Sequence, residues 1–201
     1  MTHLGPRSDP IADPVTTVSV WNIANALTML RLVLVPFFAA ALFHTDGHSG
    51  AWRAVACVIF AVASLTDLVD GDIARKRGLI TEFGKLADPI ADKALIGTAL
   101  VGLSMLRELA WWVTVVILVR EVGVTLLRFW VIRHGVIAAS RGGKLKTMVQ
   151  AWAIGLLVLP LSGIWHAIAT GVMMAALVLT LLTGLDYIVR AFTLRRTRRL
   201  A

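Results

Sequence analysis

Long apolar runs alternate with short polar connections along the chain between residues 20 and 190. Six of these runs approach the roughly 20 residues that an α-helix needs to cross the hydrocarbon core of a bilayer. We therefore predict an all-α, polytopic membrane protein in which six transmembrane helices form one bundle. The predicted spans are 26–43, 52–74, 84–106, 111–133, 146–165 and 168–189, within a membrane domain over 20–194 that follows a disordered tail (1–19) and precedes a basic tail (195–201).

The composition supports a membrane protein and argues against a soluble one. Of the 201 residues, 58% are hydrophobic and 16% are charged, whereas soluble domains usually carry about 25% charged residues. The net charge of +8 could indicate a nucleic-acid partner. However, the basic residues lie between and beside the apolar runs, so we predict contact with membrane lipids and no nucleic-acid partner. The single cysteine, Cys57, excludes a disulfide within the chain.

The distribution of basic residues predicts the orientation in the membrane. The connections between spans 1 and 2, 3 and 4, and 5 and 6 contribute only Arg53 and Arg107, and the other Lys and Arg residues lie at the opposite ends of the spans. The positive-inside rule then places both termini and the 75–85 and 134–146 connections in the cytoplasm. We expect an integral protein of the cell or inner membrane.

Residues 66–94 hold half of the acidic side chains of this apolar chain. Asp67 and Asp70 lie three residues apart at the end of span 2, and Asp88 and Asp92 lie four apart at the start of span 3. Each pair therefore shares one face of its helix. Because the connection is short, we expect spans 2 and 3 to be antiparallel neighbours and their four carboxylates to converge near the cytoplasmic face.

Four carboxylates at membrane depth are costly, and such residues usually serve a function. Oxygen ligands favour hard cations such as magnesium, manganese or calcium. Gly71 and Gly84 would let a ligand or a neighbouring backbone come close, and Arg75 offers a fork suited to a phosphate. The alternative is a solvated hairpin in which the acids pair with neighbouring Lys and Arg residues, and we expect this for Asp72 and Glu82.

These residues together resemble the signature of a known enzyme family, the CDP-alcohol phosphotransferases. The matching pattern is D67-x2-D70-G71-x2-A74-R75-x8-G84-x3-D88-x3-D92. The resemblance implies six spans, a homodimer, and transfer of a substituted phosphate from a CDP-linked donor to an alcohol with release of CMP. It also implies two divalent ions, Mg²⁺ or Mn²⁺, that are held by Asp67, Asp70, Asp88 and Asp92. In this family the last aspartate, here Asp92, acts as the general base, and the positions of Gly71, Ala74, Arg75 and Gly84 belong to the CDP site.

Three shorter motifs indicate the acceptor alcohol. They are N-x2-N-x-L-T-x2-R from Asn22 to Arg31, the pair Arg120–Glu121, and G-K-x-K-T-x2-Q from 143 to 150. They resemble the branch of the family that joins CDP-diacylglycerol to glycerol 3-phosphate. On this interpretation Asn25 and Thr28 contribute to the donor site. Alternatively, these polar side chains hold neighbouring helices together.

A phosphorylated acceptor needs cations near the carboxylates. We predict that five basic side chains on the cytoplasmic halves or connections of spans 4 to 6 bind its phosphate: Arg120, Arg128, Lys144, Lys146 and Arg190. The alternative for each is a side chain that snorkels to lipid headgroups, and for Arg190 a pair with Asp186. Glu121 points about 100° away from Arg120 on a helix, so we do not expect it to be the partner of Arg120.

Other functions stay open from the sequence. The same chemistry could use another acceptor, either phosphatidylglycerol, as in cardiolipin synthesis, or an inositol phosphate. An intramembrane prenyltransferase also binds a diphosphate through magnesium and aspartates, but it typically has two separated aspartate motifs. A divalent-cation transporter would explain the carboxylates and would leave Gly71, Ala74, Arg75 and Gly84 without a role.

Overall fold

The computed structural model describes residues 22–77, 81–132 and 141–199, and the regular elements in these ranges are all helical. The prediction of an all-α chain with six long helices is confirmed for these residues. The helices are α1 (Ile23–Phe43), α2 (Gly50–Arg77), α3 (Glu82–Met105), α4 (Trp111–Ile132), α5 (Arg141–Val158) and α6 (Ile164–Arg199), and a short 3₁₀ turn (His44–Gly47) follows α1. The predicted tail over 1–19 lies outside the described residues. The last helix reaches into the predicted basic tail.

Three stretches of the described chain are long and apolar enough to cross a membrane, judged by length and composition. They are Asn25–Gly47, Gly50–Asp67 and Ile164–Val189. Large apolar side chains are also exposed along the outer faces of the helices, among them Val58, Val119 and Trp152. An exposed apolar surface of this extent requires an apolar environment, which a bilayer provides.

Helix α1 packs against the two helices that carry the aspartates. It contacts α2 and α3 extensively, whereas α2 and α3 contact each other little among the described residues. The described parts of spans 2 and 3 do contact each other, as expected of neighbours, but α1 packs against both of them more extensively. Phe38 of α1 packs against Phe60 of α2 with the rings tilted and their centroids 5.7 Å apart. Helix α5 packs mainly on α6, and α4 packs on α6 and α3.

A buried arginine ties together the end of the bundle that lies opposite the aspartates. Arg53, near the start of α2, is 6% exposed. Its Nε donates to the carbonyl of Val158 at 2.9 Å, and Nη2 donates to that of Leu157 at 2.7 Å. These carbonyls belong to the last turn of α5, where no helical N–H reaches them. Nη1 pairs with Glu108 of the α3–α4 connection at 2.5 Å. Arg53 thus joins three parts of the chain.

The boundary between α5 and α6 differs from the prediction. The apolar pattern predicted a span to 165 and the next from 168, but α5 ends at Val158 and α6 begins at Ile164. Pro160 has no N–H to continue a helix, and Gly163 adopts a positive φ of 57° that favours glycine. The residues between α5 and α6 are mostly apolar, so hydropathy alone does not reveal the turn. His166 consequently lies in α6 and not in the connection.

Candidate functional site

The polar stripe of α1 faces the two helices that carry the aspartates. Thr28 donates a hydrogen bond to Oδ1 of Asp88 on α3 at 2.5 Å. One turn further along α1, the Nη1 of Arg31 lies 2.6 Å from Oδ1 of Asp67 on α2. Arg31 is fully buried, while the Asp67 side chain keeps 36% of its surface exposed. Since Thr28 and Arg31 each hold one carboxylate, α1 fixes the relative orientation of two predicted metal ligands.

The first turn of α3 is built around a contact between Thr81 and Asn25. The hydroxyl of Thr81 accepts from the N–H of Gly84 at 3.0 Å and so caps α3. Asn25 Nδ2 donates to the same hydroxyl at 2.9 Å. A Cβ atom at Gly84 would lie 2.8 Å from Oδ1 of Asn25, which is closer than side chains tolerate. The close neighbour that Gly84 admits is therefore a side chain of α1. Asn25 and Thr28 both hold helices together, and their contact with a donor remains a prediction.

We expect Gly84→Ala to destabilise the protein more than Gly97→Ala, a replacement elsewhere on α3 where there is room for the added methyl group. The added methyl group would push Asn25 away from Thr81 and loosen the start of the helix that carries Asp88. Loss of the buried side-chain contact should cost about 1–3 kcal/mol. The control is Gly97→Ala, where the nearest atom would lie at an ordinary 3.8 Å. Thermal unfolding in detergent would compare the two variants, and equal melting temperatures would contradict the prediction.

Asp92 lies one turn beyond Asp88 and is only partly exposed. Its carboxylate is close enough to Asp67 of α2 and Glu121 of α4 for charge repulsion, and close enough to Lys93 and Arg31 for attraction. Carboxylates of α2 and α3 therefore do approach each other, although α1 mediates much of the packing. The charged groups around Asp92 come from four helices, so it lies inside the bundle and not on a solvated hairpin.

The structure describes only part of the predicted metal and donor site. The structure does not describe the side chains of Asp70, Ala74 and Arg75, and it does not describe the surroundings of Gly71. Among the side chains that are described, no three acidic, histidine or cysteine groups are arranged to hold a metal ion. The described donors, Asp67, Asp88 and Asp92, supply only carboxylate oxygens, which suit magnesium or manganese.

A second charged cluster joins α4, α5 and α6. The Oε1 of Glu121 accepts from Lys146 Nζ on α5 and from Arg120 Nη1, the latter at 3.1 Å. Arg120 also donates to α6, with Nε 2.9 Å from the Thr180 carbonyl and Nη2 2.6 Å from Oγ1 of Thr183. Our expectation that Glu121 is not the partner of Arg120 is wrong. Both side chains are long enough to bend around the helix and meet.

The cations of this cluster do not snorkel to the surface. Lys146 is 5% exposed, and the side chain of Arg120 is nearly as well buried. Lys146 also interacts electrostatically with Asp92. One of the predicted acceptor residues, Lys146, thus lies within electrostatic range of the predicted base. The side chains of the other three predicted residues lie outside the described part of the chain: Arg128, Lys144 and Arg190.

Two residues of this region carried no assigned role in the sequence analysis. Glu121 links Arg120 and Lys146. In the sequence it was noted only as part of a motif. Gln150 lies four residues after Lys146, on the same face of α5. It is 2% exposed, and within the described residues its Oε1 has no hydrogen-bond partner. A buried carbonyl oxygen of this kind is available to a hydroxyl donor.

Comparison with known proteins agrees with these features. Residues 21–182 match the sequence profile of the CDP-alcohol phosphatidyltransferase family. A probable phosphatidylglycerophosphate synthase of Mycobacterium tuberculosis is 64% identical over 170 residues, which are 85% of this chain and 81% of that protein. The CDP-diacylglycerol–glycerol-3-phosphate 3-phosphatidyltransferase of Bacillus subtilis is 33% identical over 181 residues, with 84% and 94% of the two chains covered. The protein of that name from Rickettsia felis is 36% identical over 171 residues, with 83% and 93% covered.

Proposed function

Since this chain belongs to the CDP-alcohol phosphatidyltransferase family, we propose that it transfers the phosphatidyl group of CDP-diacylglycerol to glycerol 3-phosphate and releases CMP. The observation that carries this proposal is the approach of Asp92 to Lys146 and Glu121. This electrostatic interaction links the aspartate signature to the acceptor motifs, which are distant in sequence, and it supports a single site. The names of the bacterial relatives support the same reaction.

The proposed reaction needs a base beside the acceptor and a cation for its phosphate. The primary hydroxyl far from the phosphate of glycerol 3-phosphate attacks the β-phosphorus of CDP-diacylglycerol. A new P–O bond forms, the bond to CMP breaks, and its electron pair leaves on the CMP oxygen. Asp92 takes the hydroxyl proton. Lys146 binds the acceptor phosphate, and Gln150 accepts from a hydroxyl of the glycerol.

The donor half of the site requires divalent ions. We propose that Asp67, Asp70, Asp88 and Asp92 hold two Mg²⁺ or Mn²⁺ ions, and that the CDP moiety lies along Gly71, Ala74, Arg75 and Gly84. When bound, such ions neutralise diphosphate oxygens and stabilise the leaving group. The contacts of Thr28 with Asp88 and of Arg31 with Asp67 support this assignment, because partners of this kind orient metal-binding carboxylates. Asn25 and Thr28 thereby support the donor half of the site indirectly, because they hold the start of α3 against α1.

The site would face the cytoplasm. We propose six transmembrane spans with both termini on the cytoplasmic side, and a homodimer as the assembly. The basic residues concentrate at the end of the helices where the aspartates lie, which the positive-inside rule assigns to the cytoplasm. A water-soluble acceptor would there meet a donor that is anchored in the membrane.

An acceptor panel tests the proposed function. Purified protein would receive labelled CDP-diacylglycerol with glycerol 3-phosphate, phosphatidylglycerol or an inositol phosphate, each with and without Mg²⁺ or Mn²⁺. We expect CMP and phosphatidylglycerophosphate with glycerol 3-phosphate, and loss of activity on chelation. Faster CMP release with either other acceptor would reassign the substrate. The absence of CMP with every acceptor would favour a prenyltransferase or a cation transporter.

A further inference from the structure

We infer that Glu121 is a positioning residue for the acceptor: it holds the Lys146 ammonium in place for the acceptor phosphate, and Arg120 braces Glu121 against α6. This inference rests on the proposed function, because it assigns Lys146 to the acceptor phosphate. It adds a role for an acidic residue in a pocket that has to bind an anion. A carboxylate in such a pocket repels the anionic ligand. It can favour binding only if its contacts with the cations help binding more than this repulsion weakens it.

The support of Glu121 depends on how Arg120 is anchored on α6. Three separate nitrogens of Arg120 are engaged, by the Thr180 carbonyl, the Thr183 hydroxyl and the Glu121 carboxylate. A planar guanidinium with contacts on three nitrogens cannot rotate without losing hydrogen bonds. Arg120 is therefore a fixed support for Glu121, and we assign the contact with the acceptor phosphate to Lys146.

A glycine makes room for this arginine. A Cβ atom at Gly184 would lie 3.2 Å from both Cγ and Nε of Arg120, which is tighter than most side-chain contacts. The Arg120 side chain therefore lies flat on α6 next to Gly184, one residue beyond Thr183. This packing explains how Arg120 reaches a backbone carbonyl inside α6, since the surface there carries no side chain.

Lys146 is the part of the cluster that is free to serve a ligand. Its ammonium has three N–H donors, and Glu121 occupies one of them. A lysine on a four-carbon stem loses considerable rotamer freedom when it is held in one place. Glu121 holds it before the acceptor arrives, so binding does not have to order it. The Asp92 carboxylate interacts with both Lys146 and Glu121, so the held ammonium lies near the proposed base.

Two substitutions of Glu121 separate positioning from charge. Glu121→Ala removes the support of Lys146, and we expect the KM for glycerol 3-phosphate to rise about tenfold or more, as for the loss of a charged hydrogen bond. The KM for CDP-diacylglycerol should stay within about twofold. Glu121→Gln keeps an oxygen acceptor and removes a charge that repels the phosphate, so it should stay within about threefold of wild type. If Glu121 only repelled the acceptor, both variants would lower its KM.

A second pair of variants tests the brace without changing any charge. Thr183→Val removes the hydroxyl that Arg120 Nη2 contacts. Thr170→Val is the matched control, because both threonines on α6 bond the carbonyl four residues earlier, and the hydrogen bonds described for Thr170 include no arginine. We expect Thr183→Val to raise the KM for glycerol 3-phosphate about threefold or more and Thr170→Val to leave it unchanged. This pair decides the question if Glu121→Ala does not fold.

The inference is overturned if Thr183→Val behaves like Thr170→Val. It is also overturned if folded Glu121→Ala leaves the KM for glycerol 3-phosphate within about twofold, or raises both KM values equally. These failures require an active wild-type enzyme. A wild-type protein that releases no CMP with glycerol 3-phosphate would instead overturn the proposed function.

Discussion

The variant Asp92→Asn should lose turnover by about a thousandfold or more, because a general base contributes 10²- to 10⁴-fold and this carboxylate is also a proposed metal ligand. Asparagine has nearly the same size as aspartate, so the packing inside the bundle is kept. Its amide has no site that takes a proton from the acceptor hydroxyl. Binding of CDP-diacylglycerol should change little, since the other proposed donor residues remain.

Two measurements check this expectation. CMP release in the presence of glycerol 3-phosphate gives turnover, and retention of labelled CDP-diacylglycerol on immobilised protein gives donor binding. Asp46→Asn is a matched control, because Asp46 is exposed on the 3₁₀ turn and its φ of 52° suits asparagine. This control should keep full activity. Near-normal turnover of Asp92→Asn would remove Asp92 from the role of base, and a parallel loss of donor binding would make it chiefly a donor ligand.

The largest loss of stability is expected from Arg53→Met at the other end of the bundle. Methionine fills the space of the arginine stem but donates no hydrogen bond. Glu108 would then lose its closest cation, and the Leu157 and Val158 carbonyls would lose their donors. Breaking a buried ion pair from one side typically costs about 3–5 kcal/mol.

Unfolding of the purified protein in mixed micelles with increasing SDS would measure this loss. Arg107→Met is the control, since Arg107 is exposed in the connection that also carries Glu108, and its side chain makes none of the described hydrogen bonds or ion pairs. That variant should stay within about 0.5 kcal/mol of wild type. Equal destabilisation by both substitutions would mean that the basic charge at this end matters, and not the bonds made by Arg53.

The sequence predicted those features that depend on local patterns. Six apolar runs became six helices in the described part of the chain. The aspartate spacing predicted which carboxylates share a face, and Asp67 does approach Asp92 across two helices. These predictions needed only helical periodicity and a connection of limited length.

Features that depend on contacts between distant residues were not predictable. The stripe on α1 was visible in the sequence, but its partners lie 56 or 60 residues away, in Thr81 and Asp88. The Arg120–Glu121 pair depends on side-chain rotamers, and these are set by Thr180 and Thr183 of α6. The turn after α5 lies in an apolar stretch, so composition could not distinguish it from more helix.

The Arg53 contacts also set an order of events during synthesis. The carbonyls that Arg53 binds belong to residues made 104 and 105 positions later. At about 5–20 residues per second, roughly 5–20 s pass before the ribosome has made them. Until then the guanidinium of a nascent α2 has no α5 carbonyl to bind, whereas Glu108, 55 positions after Arg53, is made earlier and can pair with it. Arg53 therefore completes its set of contacts only after α5 has been made.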